Sequence, residues 1–407
     1  MSFPLGFWNY THVGQQPATS VRDWQAAGMT LTLGPEYGPD SLEIEGMRAI
    51  LDAAAQAGIR VILCDSRTRW RTLVESGEKQ YRDGIRAALR QFGGHPATFG
   101  FHVGDEPGAA DFESACKAMR ILKEMAPNLS PFLNLLPWHP GVEGVVGFAS
   151  WSAYLDAYVA SARPDFLCYD CYSQMNPGPV GLDMYFRNLR EYREAAVRAG
   201  IPFWTTLLSV GHFRYRCPTE NDFRWQLNTA LAHGAQGILY FFFYMRAPHD
   251  NYRVSPIDEH GERTETFAWL SRVNRTFLKT HAERMRHLLL RTVGHVGTAQ
   301  GGWPLFDGAG LVSRATTANG TPLIVSEFKH TNGADYVMVV NNSQTESDQA
   351  TVWFRGRKPS VYRVGWMNVE TPADRGDGWQ AARGEDFVTV RPWLAPGQME
   401  LYRLAQG

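Results

Sequence analysis

Four times along the chain, a helix-like segment ends at or near a glycine and a β-rich apolar run begins at once. A glycine just past a helix readily adopts the left-handed conformation that closes the last turn. The apolar runs after these glycines are Met29–Leu33, Ile59–Cys64, Ile201–Thr205 and Ile238–Phe243. Because the runs are continuous rather than alternating, they are typical of strands that are buried on both faces of a parallel sheet.

The same alternation of strand and helix extends over the first 285 residues. Strands are expected near residues 4–10, 28–34, 59–65, 98–103, 130–136, 165–170, 202–208 and 236–243. Amphipathic segments between them predict helices at Ser41–Ala57, Tyr81–Phe92, Asp111–Met125 and Asp183–Ala199. A doubly wound open sheet is the alternative, but no glycine-rich dinucleotide-binding motif follows any strand. We therefore predict an α/β fold, a (β/α)₈ TIM barrel, over residues 1–285.

The pattern changes after Met285, where helical periodicity stops and short alternating runs are separated by Gly, Asn and Asp turns. These runs are Pro322–Ser326, Asp335–Val340, Thr351–Phe354, Val361–Val364, Phe387–Val390 and Met399–Tyr402. Several short alternating strands with such turns are typical of a small antiparallel β-sandwich. We predict this C-terminal domain over residues 286–407, covering one flank of the barrel.

Composition and charge exclude several classes of partner. The 407 residues are 44% hydrophobic and 20% charged, which is ordinary for a globular protein. A net charge of −1 offers no electrostatic footprint for nucleic acid or an anionic membrane. The longest apolar run, around Gly237–Met245, is too short to span a bilayer. The segment Met1–Trp8 has neither the basic nor the apolar region of a signal peptide.

The five cysteines form an odd, sparse set that does not resemble a disulfide framework. Cys168 and Cys171 form a CxxC, but residues three apart on a strand point to opposite faces. No second CxxC is present to complete a zinc site. We therefore expect a reduced, cytoplasmic protein without metal or cofactor, and a homo-oligomer is compatible with the sequence.

Functional residues of (β/α)₈ barrels lie at the carboxyl ends of the strands, so polar and aromatic residues just past each strand are the candidates. Carboxylates framed by aromatic rings suit glycoside cleavage. One carboxyl group protonates the leaving oxygen, the other activates water or attacks the anomeric carbon, and the rings stack on sugar faces. The candidate substrate-binding residues are Trp8, Asn9, Glu36, Asp65, His102, Asp105, Trp138, His139, Tyr172, His212, Arg214 and Tyr244.

The most informative motif is Gly104-Asp105-Glu106-Pro107, at the end of the fourth predicted strand. Gly104 lets the chain turn off the strand, and Pro107 can open the next helix because its missing N–H is not needed there. The simpler interpretation is that the two acids complement the helix dipole. The position of Glu106 at the rim of the predicted barrel favours a catalytic role instead.

Several segments between residues 95 and 275 resemble β-galactosidase-like barrel glycosidases of glycoside hydrolase clan A. They are Gly100–Pro107, Asn134–Pro137, Ser150–Tyr154, Pro164–Tyr172, Pro218–Glu220, Arg224–Gln226, Ala232–Gly237 and Asp258–Gly261. The resemblance implies a barrel glycosidase with a carbohydrate substrate. It also implies that Glu106 is the general acid/base, since in the clan this residue is the glutamate ending the fourth strand. The asparagine that usually precedes it in the clan is Asp105 here.

The seventh strand departs from the clan pattern. The clan places its nucleophilic glutamate there, but Phe203–Ser209 contains no acid. We favour Asp170, at the end of the sixth strand, as the second carboxylate, acting as nucleophile or base. Asp65 and Glu36 are the next candidates, and Glu220 fits the first turn of a helix better.

The sequence therefore predicts a glycoside hydrolase that acts on short oligosaccharides or glycosides from a chain end, with Glu106 and Asp170 as its catalytic pair. One alternative is a non-catalytic carbohydrate-binding barrel that has lost its seventh-strand acid. Another is a metal-dependent barrel lyase or isomerase that uses the histidines at the barrel mouth. No His-x-His or HExxH spacing supports the metal site.

Overall fold

The first part of the chain contains eight strands, each parallel to its hydrogen-bonded neighbours. The computed structural model describes residues 2–176, 178–246, 251–355, 360–373, 381–383 and 387–405. The strands are β1 (Leu5–Phe7), β2 (Leu31–Tyr37), β3 (Arg60–Asp65), β4 (Thr98–Asp105), β5 (Ser130–Asn134), β6 (Leu167–Asp170), β7 (Phe203–Leu208) and β8 (Ile238–Phe241). They form two four-stranded sheets, ordered β2-β3-β4-β5 and β6-β7-β8-β1. All eight predicted strands are confirmed.

Main-chain hydrogen bonds join the two parallel sheets at both pairs of edges. Beside β5 and β6, the Leu135 N–H donates to the Cys168 carbonyl at 2.9 Å, and Leu135 pairs in parallel with Tyr169. Between β1 and β2, the Thr30 N–H donates to the Leu5 carbonyl at 2.8 Å. The carboxyl ends of the strands of both sheets therefore lie at one end of the structure.

The helices follow the strands in the predicted alternation. They are α1 (Val21–Ala26), α2 (Ser41–Gln56), α3 (Trp70–Ala88), α4 (Phe112–Met125), α5 (Val142–Val146), α6 (Trp151–Ala162), α7 (Pro179–Ala199), α8 (Glu220–Ala232), α9 (Glu265–Thr280) and α10 (Ala282–Met285). The predicted start of α3 at Tyr81 is wrong: the helix begins at Trp70. Gly77, with φ 79°, interrupts α3 and breaks its periodicity. No helix among the described residues is long and apolar enough to cross a membrane.

Strand β3 shows why the strand sequences read as continuous apolar runs. Val61 and Leu63 belong to the apolar cluster that contains the helices, whereas Ile62 and Cys64 belong to a second cluster on the opposite face. Alternate side chains of a strand point to opposite faces, so a strand covered on both sides needs an apolar residue at nearly every position.

The C-terminal part consists of antiparallel strands in a six-stranded sheet, β15-β14-β19-β12-β11-β9, and a five-stranded sheet, β10-β13-β17-β16 with β18 on β13. The strands are β9 (Leu288–Val296), β10 (Val312–Thr317), β11 (Leu323–His330), β12 (Asp335–Asn341), β13 (Asp348–Arg355), β14 (Ser360–Val364), β15 (Glu370–Pro372), β16 (Ala381–Arg383), β17 (Phe387–Val390), β18 (Trp393–Leu394) and β19 (Met399–Ala405). Residues of both sheets, including Val325 and Val352, share one core. The predicted antiparallel strands are confirmed, and β9, β10, β15, β16 and β18 are additional.

The C-terminal strands dock on helix α8. The Trp225 indole donates from Nε1 to Asn342 Oδ1 at 3.0 Å, and Asn228 Nδ2 donates to the Gly397 carbonyl at 2.8 Å. A Cβ on Gly397 would collide with the backbone of Trp225. The two parts therefore share a close, hydrogen-bonded interface.

All five cysteines are free. Cys168 and Cys171 are buried in different apolar clusters, so the CxxC does not bring its two thiols together on one face. This agrees with the alternation expected for a strand.

We expect Trp225→Ala to lower the free energy of unfolding by about 3–5 kcal/mol, because it leaves a cavity at the interface. Trp225 is 1% exposed and its ring lies 5.2 Å from that of Tyr185. Trp393→Ala is the matched control, since that indole is 54% exposed. Urea denaturation measures both, and equal effects of the two substitutions would contradict this account of the interface.

Candidate active site

The turn at the end of β4 has a backbone conformation that few side chains adopt. Glu106 has φ +46°, in the left-handed region that L-residues other than glycine rarely use. Its N–H donates to the Asn134 carbonyl at 2.9 Å, which extends the pairing of β4 with β5 beyond the strand. A Cβ on Gly104 would collide with the indole of Trp70. The glycine therefore allows the close approach that fixes this turn.

Three acids, Asp105, Glu106 and Asp170, meet at this turn, and we call them the carboxylate cluster. Asn134 Nδ2 donates to Asp105 Oδ1 at 3.1 Å and to Asp170 Oδ1 at 2.8 Å. A side-chain hydrogen bond joins the carboxyl groups of Glu106 and Asp170. A hydrogen bond between two carboxyl groups uses one proton, so a proton on one of the two acids stabilises this contact.

The surroundings favour Glu106 as the carrier of that proton. Burial among protein groups raises the pKa of Glu106 well above its usual range, and the negative charges of Asp170 and Asp105 raise it further. Burial also raises the pKa of Asp170, but hydrogen bonds from Asn134 and Glu106 counteract the shift. Burial, followed by the charge of Asp170, raises the pKa of Asp105 to about 7.

Asp105 and Glu106 are nevertheless in contact with solvent at the surface of a cleft. The cleft has two lobes, of about 870 Å³ and about 430 Å³. Trp8, Tyr10, Asp105 and Glu106 line both lobes. The carboxylate cluster therefore lies where the lobes meet, so a bound molecule that extends from one lobe to the other passes over it.

The larger lobe is lined by charged groups. Arg69 pairs with Glu36 at 2.8 Å between Nη2 and Oε1. The guanidinium of Arg71 lies 5.1 Å from the ring centroid of Trp70. This lobe can therefore form hydrogen bonds with a strongly polar ligand.

The smaller lobe has an aromatic wall. Tyr172 and Phe241 stack with ring centroids 5.1 Å apart, and Tyr215, Tyr252 and His212 lie beside them. Aromatic faces of this kind stack on the apolar faces of sugar rings. The smaller lobe therefore combines an aromatic wall with the acids of the carboxylate cluster.

Most of the predicted site residues line the cleft. They are Trp8, Asn9, Glu36, His102, Asp105, Glu106, His139, Asp170, Tyr172 and His212. Asn9 and His102 also have structural partners, since Asn9 Nδ2 donates to Gln16 Oε1 at 2.9 Å and His102 Nε2 lies 2.8 Å from the Gly104 carbonyl. Burial lowers the pKa of His102, so a neutral ring supports the turn at Gly104.

Four predicted residues, Asp65, Trp138, Arg214 and Tyr244, do not line either lobe. Asp65 is fully buried and holds Arg67 at 2.6 Å between Oδ2 and Nη2. Arg214 is exposed outside the cleft. Position at a strand end therefore indicates the end of the fold where the cleft lies, but it does not separate cleft-facing side chains from structural ones.

The remaining two have identifiable partners. The ring of Trp138 lies under the guanidinium of Arg187, with 3.3 Å between the guanidinium carbon and the ring centroid. The Tyr244 hydroxyl accepts a hydrogen bond from Trp24 Nε1 at 2.7 Å. Both side chains are therefore engaged in packing around the strands.

Several residues of the cleft were not predicted from the sequence, among them Tyr10, Arg69 and Tyr252. Asn134, the last residue of β5, belongs to the polar residues that the strand-end position indicates. Tyr10 lies beyond β1, with the Arg246 guanidinium carbon 4.0 Å from its ring centroid. Tyr252 comes from the segment after β8, where no periodic pattern indicates that the chain returns to the cleft.

No protein-family model and no curated protein sequence matches this chain. Its fold is similar to that of a family 5 glycoside hydrolase from Bacteroides vulgatus ATCC 8482 (TM-score 0.61, 11% identity, 99% of this chain and 89% of that chain). It is also similar to a family 39 glycoside hydrolase from Bacteroides cellulosilyticus WH2 (TM-score 0.55, 11% identity, 99% of this chain and 81% of that chain). A β-galactosidase from Marinomonas ef1 is similar over 70% of this chain and 62% of that chain (TM-score 0.52, 12% identity).

The chain thus shares its fold with glycoside hydrolases. This similarity confirms the fold class that the clan A resemblance implied. Among the residues that the structure describes, no group of three or more His, Cys, Asp or Glu side chains is arranged to hold a metal ion.

We expect Asp170→Asn to lower the pKa of Glu106, because the substitution removes a neighbouring negative charge that raises it. Titration of carboxyl carbons by ¹³C NMR measures this, with Glu106→Gln used to assign the resonance. Asp52→Asn is the control: its side chain is 59% exposed and pairs with His95. An unchanged Glu106 titration in Asp170→Asn would contradict the coupling.

Proposed function

We propose that this protein is a glycoside hydrolase that cleaves a glycosidic bond held over the carboxylate cluster. The observation that carries this proposal is a cluster of three acids, two of them held by Asn134, at the meeting point of two lobes, one of which has an aromatic wall. A protonated carboxyl group at the meeting point of two lobes is suited to protonating the oxygen between two sugar units. The fold shared with glycosidases supports the same reaction class.

In this proposal Glu106 is the general acid. Its raised pKa keeps it protonated at neutral pH, so it can deliver a proton to the leaving glycosidic oxygen. Trp8, Tyr172 and Phe241 present rings on which the sugar can stack. The charged groups of the larger lobe then bind hydroxyl groups on the other side of the bond.

Asp170 is the second catalytic carboxylate of the proposal. Its hydrogen bond to Glu106 supports a role as the base that controls the proton of the acid. In retaining glycosidases the acid and the attacking carboxylate are about 5–5.5 Å apart. Carboxyl groups in hydrogen-bond contact are closer than this, so attack by Asp170 itself would require the pair to separate.

The volumes of the lobes support a short substrate. The smaller lobe has about half the volume of the larger, about 430 Å³ against about 870 Å³. We infer that it receives the terminal unit of an oligosaccharide or glycoside, so that cleavage proceeds from a chain end. The free state of all five cysteines supports a reducing, cytoplasmic location.

We also infer that the two parallel sheets form one closed (β/α)₈ barrel over residues 1–285. The hydrogen bonds at both pairs of sheet edges support this. The two antiparallel sheets, with their shared core, support a β-sandwich over residues 286–407. The boundary proposed at 285 falls between the end of α10 and the start of β9.

We expect Glu106→Gln to lower kcat/KM on an unactivated disaccharide by about 10²–10⁴-fold, the usual contribution of a general acid. The loss should be smaller on a 4-nitrophenyl glycoside, because that leaving group needs less protonation. Steady-state kinetics on both substrates measures the difference. Glu113→Gln, an exposed residue of α4, is the control and should retain full activity.

Full disaccharide activity in Glu106→Gln would contradict the assignment of the acid. If the unmodified protein bound oligosaccharides in calorimetry but hydrolysed none of them, the result would instead support a non-catalytic binding protein. The acid-free seventh strand, Phe203–Leu208, is the observation that favours this second candidate.

A further inference from the structure

The acids of the larger lobe outside the carboxylate cluster are already paired. Among the described residues that line the two lobes, these acids are Glu36 and Glu43. Glu36 holds Arg69 at 2.8 Å. Glu43 accepts from the Gly38 N–H and lies 3.4 Å from His12 Nε2. Both carboxylates therefore already have partners within the lobe.

The three remaining acids lie together on one wall. Asp105 and Glu106 are consecutive residues, Asp170 is hydrogen-bonded to Glu106, and Asn134 ties Asp105 to Asp170. A nucleophile must reach the anomeric carbon from the side opposite to the leaving oxygen, whereas the acid must reach that oxygen. Groups gathered at one point cannot occupy both sides of the same bond.

The wall contributed by the seventh strand and its loop adds no carboxylate. Phe203–Leu208 contains no acid, and Ser209 is fully buried with its hydroxyl donating to the Phe242 carbonyl at 2.8 Å. The residues that this loop contributes to the lining are His212, Phe213 and Tyr215. Among the described residues that line the cleft, no carboxylate on this wall faces Glu106.

We propose, on the basis of the proposed glycosidase function, that the substrate supplies the nucleophile and is a 2-acetamido-2-deoxy sugar glycoside. Two atoms, the amide nitrogen and carbon, separate the acetamido oxygen from the ring. In a β-gluco or β-galacto glycoside, where the acetamido group is trans to the leaving group, this oxygen can reach the anomeric carbon from the opposite face. Such substrate-assisted hydrolysis needs one acid and one carboxylate beside the amide rather than an enzymic nucleophile.

Asp105 is positioned to be the carboxylate beside the acetamido group. It directly precedes the acid, it lines both lobes, and Asn134 holds its Oδ1 at 3.1 Å, which fixes the carboxylate while leaving Oδ2 available. A carboxylate in this position accepts the acetamido N–H and stabilises the positive charge that develops on the amide. Trp8 and Tyr10 offer apolar contacts to the acetyl methyl group.

The reaction balances in two steps. In the first, the acetamido oxygen forms a bond to the anomeric carbon, the glycosidic bond breaks, and Glu106 gives its proton to the leaving oxygen. The product is an oxazolinium ion that is paired with the Asp105 carboxylate. In the second, water attacks the anomeric carbon, its proton passes to Glu106, and the bond to the acetamido oxygen breaks. The sum is hydrolysis with retention of configuration.

A substrate panel tests this inference. The protein is assayed with 4-nitrophenyl 2-acetamido-2-deoxy-glycosides of gluco and galacto configuration and with the matching 2-hydroxy glycosides. We expect kcat/KM to be at least 100-fold higher for one acetamido substrate than for its 2-hydroxy counterpart. Hydrolysis of 2-hydroxy glycosides alone would overturn this inference and leave the glycosidase proposal intact, whereas hydrolysis of none would overturn both.

Two further measurements distinguish the substrate as nucleophile from an enzymic carboxylate. Replacing the acetamido group of the active substrate by trifluoroacetamido should lower kcat at least 10-fold, because the fluorines make the carbonyl oxygen less nucleophilic. Asp105→Asn should lower kcat on the acetamido substrate with little change in KM, whereas Asp52→Asn on α2 should change neither. Equal rates for both acyl groups would overturn the inference.

Discussion

The hydrogen bond between the carboxyl groups of Glu106 and Asp170 is the interaction on which the functional interpretation depends. It couples the ionisation of both acids at a point where two lobes of a cleft meet. Asp105 adds a third acid, and Asn134 donates to two of the three. An isolated glutamate exposed at a strand end would ionise near its ordinary pKa and could not serve as an acid at neutral pH.

The fold creates this cluster from three consecutive strands. Glu106 follows β4, Asn134 ends β5 and Asp170 ends β6, so parallel pairing brings the three strand ends close together. The close approach of Gly104 to Trp70 positions the turn. Rigid strands on a core packed from both faces can hold acids in contact, whereas a loop would let their repulsion separate them.

The strands, most helices and the position of Glu106 were predictable because they depend on local signals: apolar runs, glycines after helices, and a Gly-Asp-Glu-Pro turn. The contact between Glu106 and Asp170 was not predictable, since it depends on side-chain directions and on Asn134 between them. Asp65 shows the same limit. Asp65 ends β3, where a candidate acid is expected, but its side chain pairs with Arg67. Only the tertiary structure reveals this pairing.

The most direct measurement of the central claim is the pH dependence of kcat/KM for the unmodified protein on a hydrolysed glycoside. The account predicts that the alkaline limb of the profile, which reports loss of the Glu106 proton, falls only above neutral pH, because the pKa of Glu106 is raised. A profile that falls between pH 4 and 6, as expected for a glutamate of ordinary pKa near 4.3, would contradict it.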